Sequence, residues 1–189
     1  MAAPEVVRTS QPPRWGLAAV GAVGIAVAAI LAAYARVSPG DGAAITTLGF
    51  STLLAMKSWL STIVILLVVV QVASALAMWG RFPGVSSAPT WVSPLHRWSG
   101  TVAFLVSLPI AFHCVWSLGF SDSSARTLIH SLAGCLVYGI FAAKMLALRV
   151  PGLPGWTLPV LGGALAVALT VVWFSSALWF FTASGASIF

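Results

Sequence analysis

Acidic residues are nearly absent from this chain: three Asp and Glu stand against nine Lys and Arg in 189 residues, and charged side chains make up only 6% of it. A soluble domain carries roughly a quarter charged residues and covers its surface with them. With 60% hydrophobic residues and a mean hydropathy of +1.03, the chain cannot do so, and lipid must be its solvent. The apolar runs hold no paired carboxylates, which leaves a carboxylate proton relay without support, and no nucleophile and base are placed as a hydrolase needs. Cysteine is equally scarce. Cys114 and Cys135 form neither a CxxC pair nor the CxxCH of covalent haem c, and an iron–sulfur cluster needs more thiolates. The net charge of +6 does not point to nucleic acid, because the basic residues sit singly at the ends of apolar runs.

Five runs are long enough to cross a bilayer as helices, which takes about 20 apolar residues. They lie near 15–35, 54–79, 95–118, 124–148 and 156–182. Backbone amides in lipid must be satisfied within the segment, so the expected fold is all-α, an integral membrane bundle of five transmembrane helices. Gly- and Pro-rich stretches separate the runs at 36–42, 80–94, 119–124 and 149–155. No repeat or soluble domain is visible. Residues 15–189 read as one transmembrane domain, and residues 1–14, with Pro12 and Pro13, as a short disordered cytoplasmic tail. Ala33-Tyr34-Ala35 resembles a signal-peptidase site, but the preceding run is long and opens on Trp15, an interface anchor, so the helix is expected to be retained.

Basic residues set the orientation. Arg8, Arg14, Arg81, Arg97, Lys144 and Arg149 share one side, against Arg36, Lys57 and Arg126 on the other. The positive-inside rule then places the N-terminus in the cytoplasm. Eight of the nine tryptophans fall near predicted helix ends, as in an aromatic belt, while Trp173 is deeper and fills space. Gln71 and Thr170 are candidates for hydrogen bonds between helices. Gly21, Gly24 and the pair Gly162-Gly163 suggest close helix packing. Asp122 and Ser123 suggest a cap for the fourth helix.

Three histidines remain, His96, His113 and His130. His113 lies about five residues, roughly 8 Å, inside the end of the third helix, and His130 about six residues, roughly 9 Å, inside the start of the fourth. Two antiparallel neighbours thus carry imidazoles at matching depth, as needed to hold one haem iron from both axial positions. Such closed ligation favours electron transfer over oxygen chemistry. Ser131, Ala133, Gly134 and Gly139 leave room for a flat macrocycle. Pro109, four residues before His113, would kink the third helix and re-aim its ligand. Arg126 could meet a haem propionate or simply anchor the interface. His96 falls about 25 Å from His113 along the axis, at the cytoplasmic interface. A second haem there would have only Met78, Lys144 or Met145 to call on, so one haem is expected and not two, with His96 a weak candidate ligand at most.

The sequence "HRWSG" followed by a later "H" on one helix, then "HSLAG" on the next, resembles the small membrane b-type cytochromes of the cytochrome b-561 and ferric-reductase-like transmembrane groups. "LPIAFHC…HSLAGC…PGWTLPVLGG" also looks like a set of uncharacterised small bacterial membrane proteins allied to them. The resemblance covers residues 80–182 and implies non-covalent haem b, one-electron transfer and a quinone or respiratory-complex partner. Those families supply four histidines in two pairs, and this chain has three.

Plainer roles stay open. His113 and His130 could bond each other or backbone carbonyls, and a polar residue in a membrane is a functional hypothesis rather than an assignment. A zinc or copper site with Cys114 and Cys135 is disfavoured, because each thiol points about 100° or more from its neighbouring histidine. The functional expectation is an electron-transfer protein or oxidoreductase subunit. The alternative is a haem-free scaffold or anchor for a larger respiratory-type complex.

Overall fold

The computed structural model describes residues 14–38, 40–84 and 87–183, with only the backbone of Arg14. These residues form helices and connections, with no strand among them. The helices are α1 (Arg14–Val37), α2 (Leu53–Met78), α3 (Val92–His113), α4 (Ala125–Ala147), α5 (Thr157–Trp173) and the short α6 (Trp179–Ala183). A π-helical turn, Cys114–Leu118, extends α3, and a second, Phe174–Leu178, joins α5 to α6. Five continuous rods result, each long and apolar enough to cross a membrane: Trp15–Val37, Leu53–Met78, Val92–Leu118, Ala125–Ala147 and Thr157–Ala183. The chain is a multi-pass all-α membrane bundle.

Helix ends follow local chemistry more closely than hydropathy. α3 starts at Val92, three residues earlier than the apolar run suggests. Pro94 falls in its first turn, where an amide has no helical acceptor and its loss costs nothing. The cap of α4 is Ser124, not Asp122 or Ser123: its hydroxyl accepts from the Thr127 N–H while the Thr127 side chain accepts from Ser124 N–H. Asp122 instead pairs with Arg36 at 2.5 Å. The Arg36 guanidinium beside Asp122 holds its carboxyl below the usual carboxylate range. The expected tail, 1–14, lies outside the described residues except for the Arg14 backbone, which already belongs to α1.

The rods pack in the order α3, α2, α5, α4, α1, and α1 also meets the π turn after α3. α1 and α4 approach closely at Gly24 and Gly139. A Cβ on Gly139 would stand 2.5 Å from the Gly24 carbonyl oxygen. Gly21, Gly162 and Gly163 have no such neighbour, so the expected close packing holds for Gly24 alone of that group. Gln71 bridges α2 to α3, donating to the carbonyl of His96 and to Ser99 Oγ, the latter at 2.7 Å. Thr170 bonds its own helix at Ala166 O and links nothing. Trp173 reaches α2, where its indole N–H donates to Thr62 Oγ1 at 3.0 Å.

α3 and α4, consecutive in sequence, do not pack backbone to backbone. They touch through a Phe104–Phe141 stack, an edge contact of Phe104 with Tyr138, and the Tyr138 hydroxyl, which donates to Ser107. Beyond that aromatic bridge the two helices stand apart. The gap is roofed by the end of α1 and by the connection after it: Phe120 N–H donates to Ala35 O, and Gly42 N–H to Ser117 O. Gly40 lies so close to Ser117 that no side chain could replace its hydrogen.

Candidate cavity between the third and fourth helices

The gap is a cavity of about 460 Å³, within the range of small-molecule and cofactor sites. It runs from Arg126, at the end where α4 begins, to Tyr138, twelve residues or roughly 18 Å deeper. Its walls are mainly aliphatic: Leu31, Val64, Ile65, Ile110, Val115, Val137, Leu169 and Val172. Its charged groups lie at the α1–α2 connection end, while Ser107 and Tyr138 mark the deep end. Lys57 and Ser58 come from α2, Cys114 from α3, and Arg126, His130 and Ser131 from α4.

On α3 the residues facing the cavity are Ser107, Ile110, Ala111, Cys114, Val115 and Leu118. That set repeats at the three- and four-residue spacing of one helical face. His113 is one residue, about 100°, off that face from Cys114. It is 1% exposed and turned elsewhere. Its Nδ1–H donates to the Pro109 carbonyl at 2.7 Å, and its Nε2 accepts from Thr46 N–H at 3.5 Å. The structure therefore brings His130 to the cavity and does not bring His113 there with it. Pro109 does set the orientation of His113, as its position suggests, but towards the α1–α2 connection.

His130 is held in a defined tautomer. Its Nδ1 lies 3.0 Å from Ser175 Oγ. The one proton of that hydroxyl is given to the Val171 carbonyl, 2.7 Å away. With its proton on that carbonyl, Ser175 Oγ accepts from Nδ1–H and Nε2 keeps its lone pair. This is how second partners orient a metal-binding imidazole. The Ser175 carbonyl accepts from Arg126 at 2.7 Å, and the Arg126 guanidinium lies 4.2 Å from the Trp179 ring centroid. The π turn makes both contacts possible, since a π turn breaks the regular carbonyl ladder and frees a carbonyl for a side chain.

Gly134 and Ser131 line the cavity, and nothing lies within 4 Å of the position a Gly134 Cβ would take. Ala133 and Gly139 face other helices. His96 is distant from this site: its Nδ1 meets Ser74 Oγ at 2.8 Å at the opposite end of α3. Cys114 and Lys57 were hidden in the sequence as an apolar-segment thiol and an interface anchor. Each belongs to the cavity, the thiol lying between Lys57 and His130. The sequence signal for Lys57 was a cation inside an apolar span, five residues past the cap Thr52. Among the described residues no group of three or more His, Cys, Asp or Glu side chains surrounds a common point.

The chain belongs to a family of unknown function (DUF6529), whose pattern matches residues 16–188. No curated protein and no solved structure matches it.

Proposed function

We propose that this member of the DUF6529 family is a bacterial cytoplasmic-membrane protein, N-terminus inside, that seats one haem b in the cavity between α3 and α4 and passes single electrons. The observation carrying this reading is His130: an imidazole fixed with Nδ1–H on Ser175, on the wall of a largely aliphatic cavity inside the membrane. The resemblance of "HRWSG" and "HSLAG", the latter beginning at His130 itself, to b-type cytochromes points the same way.

The residues fit a haem held by one imidazole. They do not fit two as they stand, since His113 would have to leave Thr46 and turn onto the cavity face, and the closed ligation that favours electron transfer rests on that turn. His130 would supply a ligand nitrogen. Gly134 and Ser131 leave space in the cavity wall, while Arg126 and Lys57 would pair with carboxylates of such a group. When bound, haem supplies a reversible one-electron couple. The protein's part is to exclude water with aliphatic walls and to fix the ligand nitrogen. A membrane quinone or a respiratory-complex subunit is the partner such a carrier would serve.

The test is the dithionite-reduced minus oxidised spectrum of purified protein expressed with haem supplied, with a pyridine haemochrome assay for stoichiometry. A b-type signal near one haem per chain is expected, lost in His130→Ala and kept in His96→Ala. A colourless wild-type protein rejects the reading and leaves the haem-free scaffold as the better account.

A further inference from the structure

Two cations face this cavity, and among the described residues neither is paired with a carboxylate. Lys57 is only 7% exposed, and the neighbour it meets is the Cys114 thiol. Arg126 has its guanidinium on the Ser175 carbonyl and the Trp179 ring, both uncharged. Among the described residues the one ion pair is Arg36–Asp122. Asp41 accepts from the Ala43 amide, and Glu5 lies outside the described residues. A cation within the hydrocarbon layer is costly enough that its partner is the first question to ask. Among the described residues no carboxylate meets either cation, while the cavity beyond the two is lined by Val64, Ile65, Ile110, Val137 and Leu169.

We infer that the cavity takes an apolar molecule bearing a carboxylate, with Lys57 and Arg126 as its anion anchor and its apolar body directed towards Tyr138. Guanidinium and ammonium donors make charge-assisted hydrogen bonds to carboxylates, and a low-dielectric surround strengthens them. The cavity has one charged end and one uncharged end, where the Tyr138 hydroxyl is already bonded to Ser107, so the ligand has a fixed direction. Two sources carry this chemistry, the propionates of a haem and the headgroup of a membrane fatty acid. The inference rests on the two cations and not on His130, so it goes beyond the haem reading and does not depend on it.

The experiment uses the full chain in detergent micelles, prepared without added haem, with fluorescent cis-parinaric acid and its uncharged alcohol analogue as probes. The acid is expected to bind at least about tenfold tighter than the alcohol, as a charge-assisted bond predicts. Lys57→Met combined with Arg126→Gln should bring the two probes to equal affinity, while Lys57→Arg should keep the preference. The conservative variant and the alcohol's own binding separate lost charge from lost folding. Added haemin should displace the acid if the sources share the site; retention of the acid under saturating haemin assigns the anchor to the fatty acid. Equal binding of acid and alcohol by the wild type, or binding of neither, overturns the inference. A phosphatidic acid that outcompetes the fatty acid overturns the carboxylate assignment in favour of phosphate. Acid binding by a protein that never takes up haem refutes the haem reading alone. Haem uptake unchanged in the double variant, with no acid preference in the wild type, refutes the anchor alone.

Discussion

At the scale of single residues, one position of helical phase decides which side chain meets the cavity. His113 and Cys114 are consecutive, yet the imidazole is stapled to Pro109 and Thr46 while the thiol lies beside His130. His113 thereby fastens the 40–52 connection to α3. Its removal should loosen that connection and leave the cavity intact. In His113→Ala, limited proteolysis of the connection should become several-fold faster than in the wild type, with the visible spectrum unchanged. A spectrum lost in His113→Ala as fully as in His130→Ala would instead show that His113 turns inward when the cavity is filled. The histidines stood out in the sequence because charge is scarce around them. Which of them shares a cavity did not, because phase along α3 says nothing of where α2 and α4 lie around it. Lys57 was misjudged for the same reason: a lysine near a helix end ordinarily snorkels to the interface. The bundle turns this one inward, at 7% exposure.

At the scale of helices, five spans were legible because each needs only its own apolar length. The two π turns were not. Each is a local rearrangement of the carbonyl ladder with no composition signal, at Cys114–Leu118 and Phe174–Leu178. Helix contacts were legible in part. A glycine can mark close approach, but only the facing helix decides whether it does. Gly139, set against Gly24 and Ala28, and Gly162, with nothing within 4 Å, look alike in sequence. Their substitutions should not. Gly139→Leu should force α1 from α4 and cost about 1–3 kcal/mol, as over-packing does. Gly162→Ala should leave stability unchanged or raise it by up to about 1 kcal/mol, through the unfolded chain and helix propensity. Thermal unfolding of both variants in one detergent checks the pair, and equal shifts would mean that α1 and α4 are not in contact in solution.

At the scale of the whole molecule, five spans put the ends of the bundle on opposite sides of the bilayer, and the excess of Arg and Lys is the ground for the insertion proposed above. That proposal predicts an external 119–124 connection and a cytoplasmic 79–91 connection. Ser121→Cys should react with a membrane-impermeant maleimide in intact cells, and Ser87→Cys only after lysis; the reverse pattern would invert the topology. The packing order also bears on biogenesis. The main partner of α1 is α4, and the other helices form a run from α3 through α2 and α5 to α4 without it. A ribosome releases α1 before α4, and roughly 110 residues separate Val37 from the end of α4, about 5–20 seconds of synthesis. During that interval α1 must stay in the bilayer without its main partner, competent to insert by its own hydropathy. Its bare stripe at Gly24 waits for Gly139 throughout. Of these five helices the earliest released is therefore among the last to meet its main partner, and the translocon or an insertase must tolerate α1 without α4 until then.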